Sequence, residues 1–350
     1  MSRKLSRRTA TMMMASAACT IAAPRIIVAQ PRQKIPFAMG AGAFYFTLHY
    51  VSEAGGLYAQ EGYELDSVNV SSGPRQVASI MGGSADVAPL GLQLVVQAAQ
   101  RGGNIIAVCA GYNILPMSIL LSNDAIARNG ITDGMSTDEK VQRMKGLRIG
   151  ITTPGSGTDD MVRALLRGRG MNPDRDITIQ PLVTAETMLA SLERGSSDGF
   201  CFTSPIPEYA ISKGWGRIIL EPLNGDVPEA ANVPYIIMAT SPDVIKNKRP
   251  QLLAMVRCWT KAMDIVRDNP REAGALVRRY FPDMDDAVYN AAFEKYRKGV
   301  PTSPMVVPDQ LEKLVKFMHI SKGTPISAKL ADVFHPDIAE EVIKATGRRS

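Results

Sequence analysis

Residues 34–70, KIPFAMGAGAFYFTLHYVSEAGGLYAQEGYELDSVNV, hold the pattern that decides the fold. A short apolar run at 35–40 reads as a strand. A stretch with helical spacing at 44–60 follows, then a second strand at 64–70. The alternation continues with a helix at 75–81, a strand at 85–89, a helix at 92–101 and a strand at 105–109. Strands separated by helices of this length imply an α/β chain with parallel sheet and right-handed crossovers.

The pattern restarts at 117–121. Strands are expected at 148–151, 177–181, 200–202 and 217–220, with helices at 159–169, 185–194 and 205–213 between them. Residues 123–140 read as a polar, glycine-containing connection. A loop rich in Pro, Gly and Asn at 221–234 leads to a last strand at 235–240. Beyond it only helices are expected, at 250–267, 270–280, 287–298 and 308–318, with Pro250, Pro270 and Pro308 near their starts. Two α/β units joined at 117–121 and 235–240 predict a discontinuous lobe, 31–120 and 235–350, carrying the helical tail. The second lobe, 121–234, is inserted into it. Two crossover strands form a hinge, and the strand ends of both lobes face a cleft.

The charge belongs to the first 29 residues. They carry Arg3, Lys4, Arg7, Arg8 and Arg25 and no acid, so these five cations account for the fall from +6 to +1 when they are set aside. That excludes a basic nucleic-acid-binding body. The basic start and the apolar run at 10–23, too short to span a bilayer, read as an export signal over 1–30 with a cut after Ala29. Ser6-Arg7-Arg8 resembles a twin-arginine signal, although Ala10 stands where that signal usually has Phe; the general secretory route is equally open. Cys19 leaves with the leader. Cys109, Cys201 and Cys258 lack metal spacing and suit buried apolar positions. His49, His319 and His335 are too scattered for a metal site. No nucleophile elbow is present, so no cofactor, metal or catalytic set is expected.

Four strand-following loops are candidate ligand contacts. Gly42, Phe44 and Tyr45 follow the first strand and offer close backbone approach and a flat wall. Ser71 and Ser72 open the next helix, and Gly91 follows the third strand. Thr153, Gly155, Ser156, Gly157 and Thr158 form a hydroxyl-rich helix start suited to a carboxylate or sulfonate. Thr203 and Ser204 precede a helix in which Glu208 lies one turn on. Tyr112 and Asn113, before the first crossover, are lesser candidates. Together these predict a small organic anion, a sulfonate or an aromatic carboxylate, with a neutral pyrimidine-like ring as the alternative.

The segment Ser52-Glu53-Ala54-Gly55-Gly56-Leu57-Tyr58-Ala59-Gln60-Glu61-Gly62-Tyr63-Glu64-Leu65 resembles a signature of periplasmic substrate-binding proteins of the nitrate, sulfonate, taurine and thiamine-precursor type. Ile80 to Ala88, with Ala85-Asp86-Val87-Ala88, is similar to the next element of that family. Lys145-Gly146-Leu147-Arg148-Ile149-Gly150 and the loop 153–158 follow in the same order, as do 170–176 and 192–199. The resemblance implies a two-lobed type II periplasmic-binding-protein fold, a monomer, a cleft ligand, and an ABC permease with its ATPase as partners. TRAP-type binding proteins share a similar Gly-Ser-Gly-Thr loop, and a receptor for a sensor kinase would use the same pocket, so both stay open. Family members that synthesise the thiamine pyrimidine carry a run of cysteines in a pocket loop. Here Gly199-Phe200-Cys201-Phe202 holds one, which favours a binding protein over an enzyme.

Overall fold

The computed structural model describes residues 31–40, 42–70 and 72–347; the expected leader, its cut after Ala29 and the candidate Ser71 lie outside them. Among the described residues ten strands form two sheets of five. The first holds β1 (Gln33–Met39), β2 (Tyr63–Asn69), β3 (Val87–Gly91), β4 (Ile106–Tyr112) and β10 (Ile236–Thr240), in the order β2-β1-β3-β10-β4. The second holds β5 (Ser118–Ser122), β6 (Arg148–Ile151), β7 (Thr178–Pro181), β8 (Gly199–Phe202) and β9 (Gly216–Leu220), in the order β7-β6-β8-β5-β9.

Strands fed by a helical crossover run parallel: β1 pairs with β2 and β3 in that sense, and β6 with β7 and β8. The two strands at the crossovers break the expected parallel pattern. β10 is antiparallel to both β3 and β4, and β5 is antiparallel to both β8 and β9. Each joins its sheet from the other one, so no right-handed helical return fixes its direction. The result is the two-lobed α/β architecture expected from the sequence, with two crossovers between the sheets.

The expected helix at 44–60 is divided. A 3-10 turn, Phe44–Phe46, leads into α1 (Thr47–Ala54), and Gly55-Gly56 separates this from α2 (Leu57–Gln60). α3 (Gly73–Met81) and α4 (Leu92–Ala99) follow β2 and β3. The stretch expected to be an irregular connection forms α5 (Asn123–Arg128) and α6 (Thr137–Gln142). A reciprocal cap between Ser136 and Glu139 starts the latter. α7 (Gly157–Arg167), α8 (Ala185–Glu193) and α9 (Ile206–Ser212) complete the second sheet's helices. After β10 come α10 (Pro242–Asn247), α11 (Arg249–Asp268), α12 (Pro270–Arg278), α13 (Asp286–Tyr296) and α14 (Pro308–Lys322). α15 (Leu330–Val333) and α16 (Pro336–Thr346), not anticipated from the sequence, end the chain's regular structure. α14 follows β10 yet packs along α7, where the buried Asp160 accepts from Ser321 Oγ at 2.8 Å and Lys322 Nζ at 2.5 Å. No helix among the described residues is long and apolar enough to cross a membrane.

Packing of α11 on the first sheet centres on Trp259, 1% exposed, whose Nε1 donates to Tyr58 Oη at 3.0 Å. The indole lies so close to β4 that a Cβ on Gly111 would stand 2.6 Å from Trp259 Cζ3 and 3.1 Å from Ile236 O. His49 is buried there too, stacked on Phe37 with ring centroids 5.0 Å apart. Burial brings its pKa down to about 4 against the opposing pull of Glu53, so the ring is neutral at pH 7.

One turn occurs twice. Before β3, the amides of Ser84 and Ala85 both donate to Ser79 O, at 3.0 and 3.1 Å; before β8, those of Ser196 and Ser197 both donate to Ser191 O, at 2.9 and 3.1 Å. An aspartate follows each. Asp86 accepts from Lys248 Nζ at 2.7 and 2.8 Å and from Gln251 Nε2 at 3.0 Å, which ties β3 to the α10–α11 corner. Asp198 accepts from Arg148 N and Nε and from Arg128 Nη2, at 2.8, 3.0 and 2.8 Å. Burial raises its pKa, but the bonds from Arg148 and Arg128 outweigh that and bring it down to about 2.

Two outcomes follow from this packing. Gly111→Ala forces the Trp259 contact apart and costs about 1–3 kcal/mol, read as a fall in Tm of several degrees. For Asp198, the folded pKa lies below the unfolded value near ~3.9, so its stabilisation of about 2 kcal/mol is present above that value and lost as pH falls toward 2. Denaturant titrations of wild type and Asp198→Asn should therefore differ most above about pH 5 and converge near pH 2.

Candidate functional site

The carboxyl ends of β1 and β3 in one sheet and of β6 and β8 in the other meet across a cavity of about 70 Å³. Wider grooves, of about 640 and 680 Å³, are lined by side chains of α2 and α11 and of α14, with no strand residue among them. The small cavity is the one that the topology builds, since loops at strand ends are where an α/β fold gathers side chains from several elements.

Seven of the candidates line it: Tyr45, Ser72, Gly91, Ser156, Gly157, Thr158 and Thr203. Tyr45 reaches it from the 3-10 turn and meets Tyr235 edge-on, with centroids 5.4 Å apart; burial raises both phenol pKa values, which keeps both neutral. Ser72 stands just before α3 without capping it by its side chain, and Gly91 stands just before α4. On the opposite wall, Ser156 caps α7, and its Oγ lies 2.7 Å from Thr152 Oγ1 and 2.9 Å from Thr158 Oγ1. Thr158 Oγ1 in turn accepts from Thr152 N at 2.9 Å. The amides of Gly157 and Thr158, at the first two positions of α7, have no carbonyl within the helix to bond. A Cβ on Gly157 would lie 2.8 Å from Tyr235 Oη, so glycine is what lets this helix start approach the tyrosine.

The remaining described candidates stand elsewhere. Gly42 is exposed and outside the cavity. Phe44 turns the other way from Tyr45, because successive side chains in a 3-10 turn point about 120° apart. It is fully buried, stacked on Phe281 at 4.4 Å and near Tyr289 and Tyr296, both at 5.5 Å. Tyr112 is also core; its Oη donates to Tyr296 O at 2.8 Å. Asn113 uses its amide on Gly299 O at 2.8 Å. Thr153 lies behind the wall, with Oγ1 buried and lacking a partner. Gly155 donates its amide to Asp159 Oδ2 at 2.8 Å. Ser204 donates its amide to Tyr296 Oη at 2.9 Å and its hydroxyl to Glu208. Burial raises the Glu208 pKa, and its second oxygen has no partner. Ser204, Glu208 and Tyr296 thus form a polar cluster outside the cavity lining.

Phe202, which opens the loop of Thr203 and Ser204, also lines the cavity, as do Gln76, Gln93, Thr152, Met117 and Tyr235, which were not anticipated. Gln76 Nε2 donates to Ala38 O at 3.0 Å and Pro89 O at 2.7 Å, which joins the ends of β1 and β3. Gln93 is 2% exposed, and its Oε1 has no hydrogen-bond partner. The rule that looks beyond strand ends reaches it, two residues after Gly91. In sequence it is one of three glutamines, with Gln97 and Gln100, in the helical stretch at 92–101, and nothing there marks it out. Among the described residues no lysine, arginine, histidine, aspartate or glutamate lines the cavity. Among the described residues no cluster of histidine, cysteine or acidic side chains suits a metal ion.

Solved proteins share this architecture at low identity. The ligand-binding component of an ABC-type import system from Staphylococcus aureus superposes with a TM-score of 0.70 at 16% identity, over 89% of this chain and 99% of that one. The alkanesulfonate-binding protein SsuA of Xanthomonas axonopodis pv. citri gives 0.66 at 14%, over 87% and 98%. The periplasmic nitrate-binding protein NrtA of Synechocystis PCC 6803 gives 0.66 at 14%, over 90% and 89%. An enzyme, the desulfurization enzyme DSZB, has the same fold, with 0.61 at 14% over 90% and 100%. The model of the NMT1-like family matches residues 45–279, about two thirds of the sequence, and this chain is a member of that family.

Proposed function

We propose that this protein is an extracytoplasmic solute-binding protein that captures a small organic solute between its sheets and hands it to an ABC importer. The observation that carries this reading is the cavity itself. It is closed by residues from both sheets, and the helix start at Gly157 touches Tyr235 across it. Such a site is complete only when the sheets approach, so solute binding favours the closed arrangement. The lobes proposed to move are 31–120 with 235–350, and 121–234, with α14 riding on the second through Asp160. The names of the S. aureus, Xanthomonas and Synechocystis proteins support importer partnership and a periplasmic location.

A second reading keeps the organic anion, a sulfonate or aromatic carboxylate, held by the starts of α3 and α7. The place of Gly157 and Thr158 in the first turn of α7, on the cavity wall, is the observation in its favour. In either case the volume of about 70 Å³ is several-fold below the ~300–1,000 Å³ of pockets for drug-sized ligands, so the solute is small or the sheets part further to admit it.

The test is mass spectrometry of small molecules released when the purified protein is denatured, with thermal unfolding against a panel of nitrate, sulfonates, carboxylates, amides, pyrimidines and amino acids. One responding chemical class is expected. A solute at ~1,000 times its Kd adds ~4 kcal/mol, a clear rise in Tm. Gly157→Leu, whose side chain collides with Tyr235, should keep the fold but lose that rise. Identical behaviour of variant and wild type toward every solute, with nothing released, would sink the proposal.

A further inference from the structure

The cavity wall discriminates between the two kinds of solute left open above, and this inference rests on the solute-binding reading. We propose that the preferred solute is uncharged and presents an amide-type edge, an N–H beside a C=O, to the side chain of Gln93.

Three observations lead there. Gln93 is 2% exposed, lines the cavity, and holds Oε1 without a partner. A buried carbonyl oxygen left unbonded is costly, so its natural complement is a donor brought by the ligand. The side chain folds back over Gly91, where a Cβ would lie 2.2 Å from Oε1 and 2.5 Å from Nε2. Glycine at 91 therefore makes room for the carboxamide of this cavity-lining residue. A ligand N–H on Oε1 and a ligand C=O on Nε2 would satisfy both.

Charge makes the second argument. A carboxylate or sulfonate is an acceptor at every oxygen and offers Oε1 nothing. It would also enter a wall with no cationic side chain among the described residues, where a buried anion is expensive without a partner. The third observation concerns the start of α7. Its first turn already holds two buried carboxylates, Asp159 and Asp160. Asp159 takes the Gly155 amide at 2.8 Å and pairs with Arg163 at 2.7 Å; Asp160 pairs with Lys322. The helix start is thus met by acids of its own, and the cavity side keeps neutral donors: the amides of Gly157 and Thr158 and the hydroxyls of Ser156 and Thr158. Those suit a second carbonyl oxygen as readily as an anion.

Matched solutes test this, because each set holds shape nearly constant while the charge changes: benzamide, benzoate and benzenesulfonate; nicotinamide and nicotinate; acetamide, acetate and methanesulfonate. The readouts are Tm and titration calorimetry at pH 7.5, on wild type and on Gln93→Leu. The expected result is binding of at least one amide, with its carboxylate and sulfonate partners bound about tenfold more weakly or not at all. Gln93→Leu should weaken the amide by about tenfold or more while leaving the ligand-free Tm unchanged or raised, since it removes a polar atom that had no partner. A residue that only held the fold together would instead lower the ligand-free Tm. Preference for the anions would overturn the inference and leave the solute-binding reading standing. Equal amide affinity in Gln93→Leu would overturn the role of Gln93. No binding by any amide would overturn the inference, and the released-solute experiment then judges the broader reading separately.

Discussion

Tyr235 is held at the point where the chain returns from the second sheet to the first. Its amide donates to Tyr112 O at 2.7 Å, and its carbonyl accepts from Leu92 N at 2.8 Å, so one residue is fastened to the ends of both β3 and β4. That double bond fixes β10 between two strands that would otherwise lack a neighbour in common. It also aims the phenol ring into the space between the sheets, edge-on to Tyr45 and against the start of α7. Sheet order, crossover and cavity wall thus depend on the same pair of hydrogen bonds. Buried backbone groups must be paired, which makes this position hard to vary independently of the site.

The short apolar runs that the sequence displays became strands because each is long enough for one layer and flanked by turn residues. The direction of β5 and β10 was not legible, since period-2 patterning carries no sign. The helices α5 and α6 were hidden for a different reason. Six residues give too little apolar periodicity to register, although Ser136 and Glu139 stand at the spacing of a reciprocal cap. At the site, strand ends pointed to loops that line the cavity but not to the side chains turned inward. Phe44 and Tyr45 are adjacent aromatics; one became core and the other wall, and only the tightness of the turn between them decides which. Gln93 shows the opposite limit, an unremarkable residue in sequence that becomes conspicuous once its burial is known.

The turn repeated before β3 and β8 shows how the two sheets are built alike. In both, paired amides converge on one serine carbonyl, and an aspartate then anchors the central strand. What the aspartates hold differs: Asp86 grips a lysine and a glutamine from the corner of the helices after β10, whereas Asp198 grips Arg148 on the neighbouring β6 and Arg128 on α5. The second sheet is therefore locked from within. The first is locked only when the later part of the chain has come back to it.

The lie of α14 along α7 gives the chain a schedule. Between Arg167 and Pro308 lie 140 residues, which a ribosome adds in roughly 7–30 s. Throughout that interval Asp160, fully enclosed in the finished protein, has neither Ser321 nor Lys322 to meet it. Water must serve in their place, and the second sheet's helix stays wet on the face that α14 will cover. A stretch of polypeptide made late is thus the one that seals a helix from the middle of the sequence, and the molecule cannot finish folding in the order in which it is written.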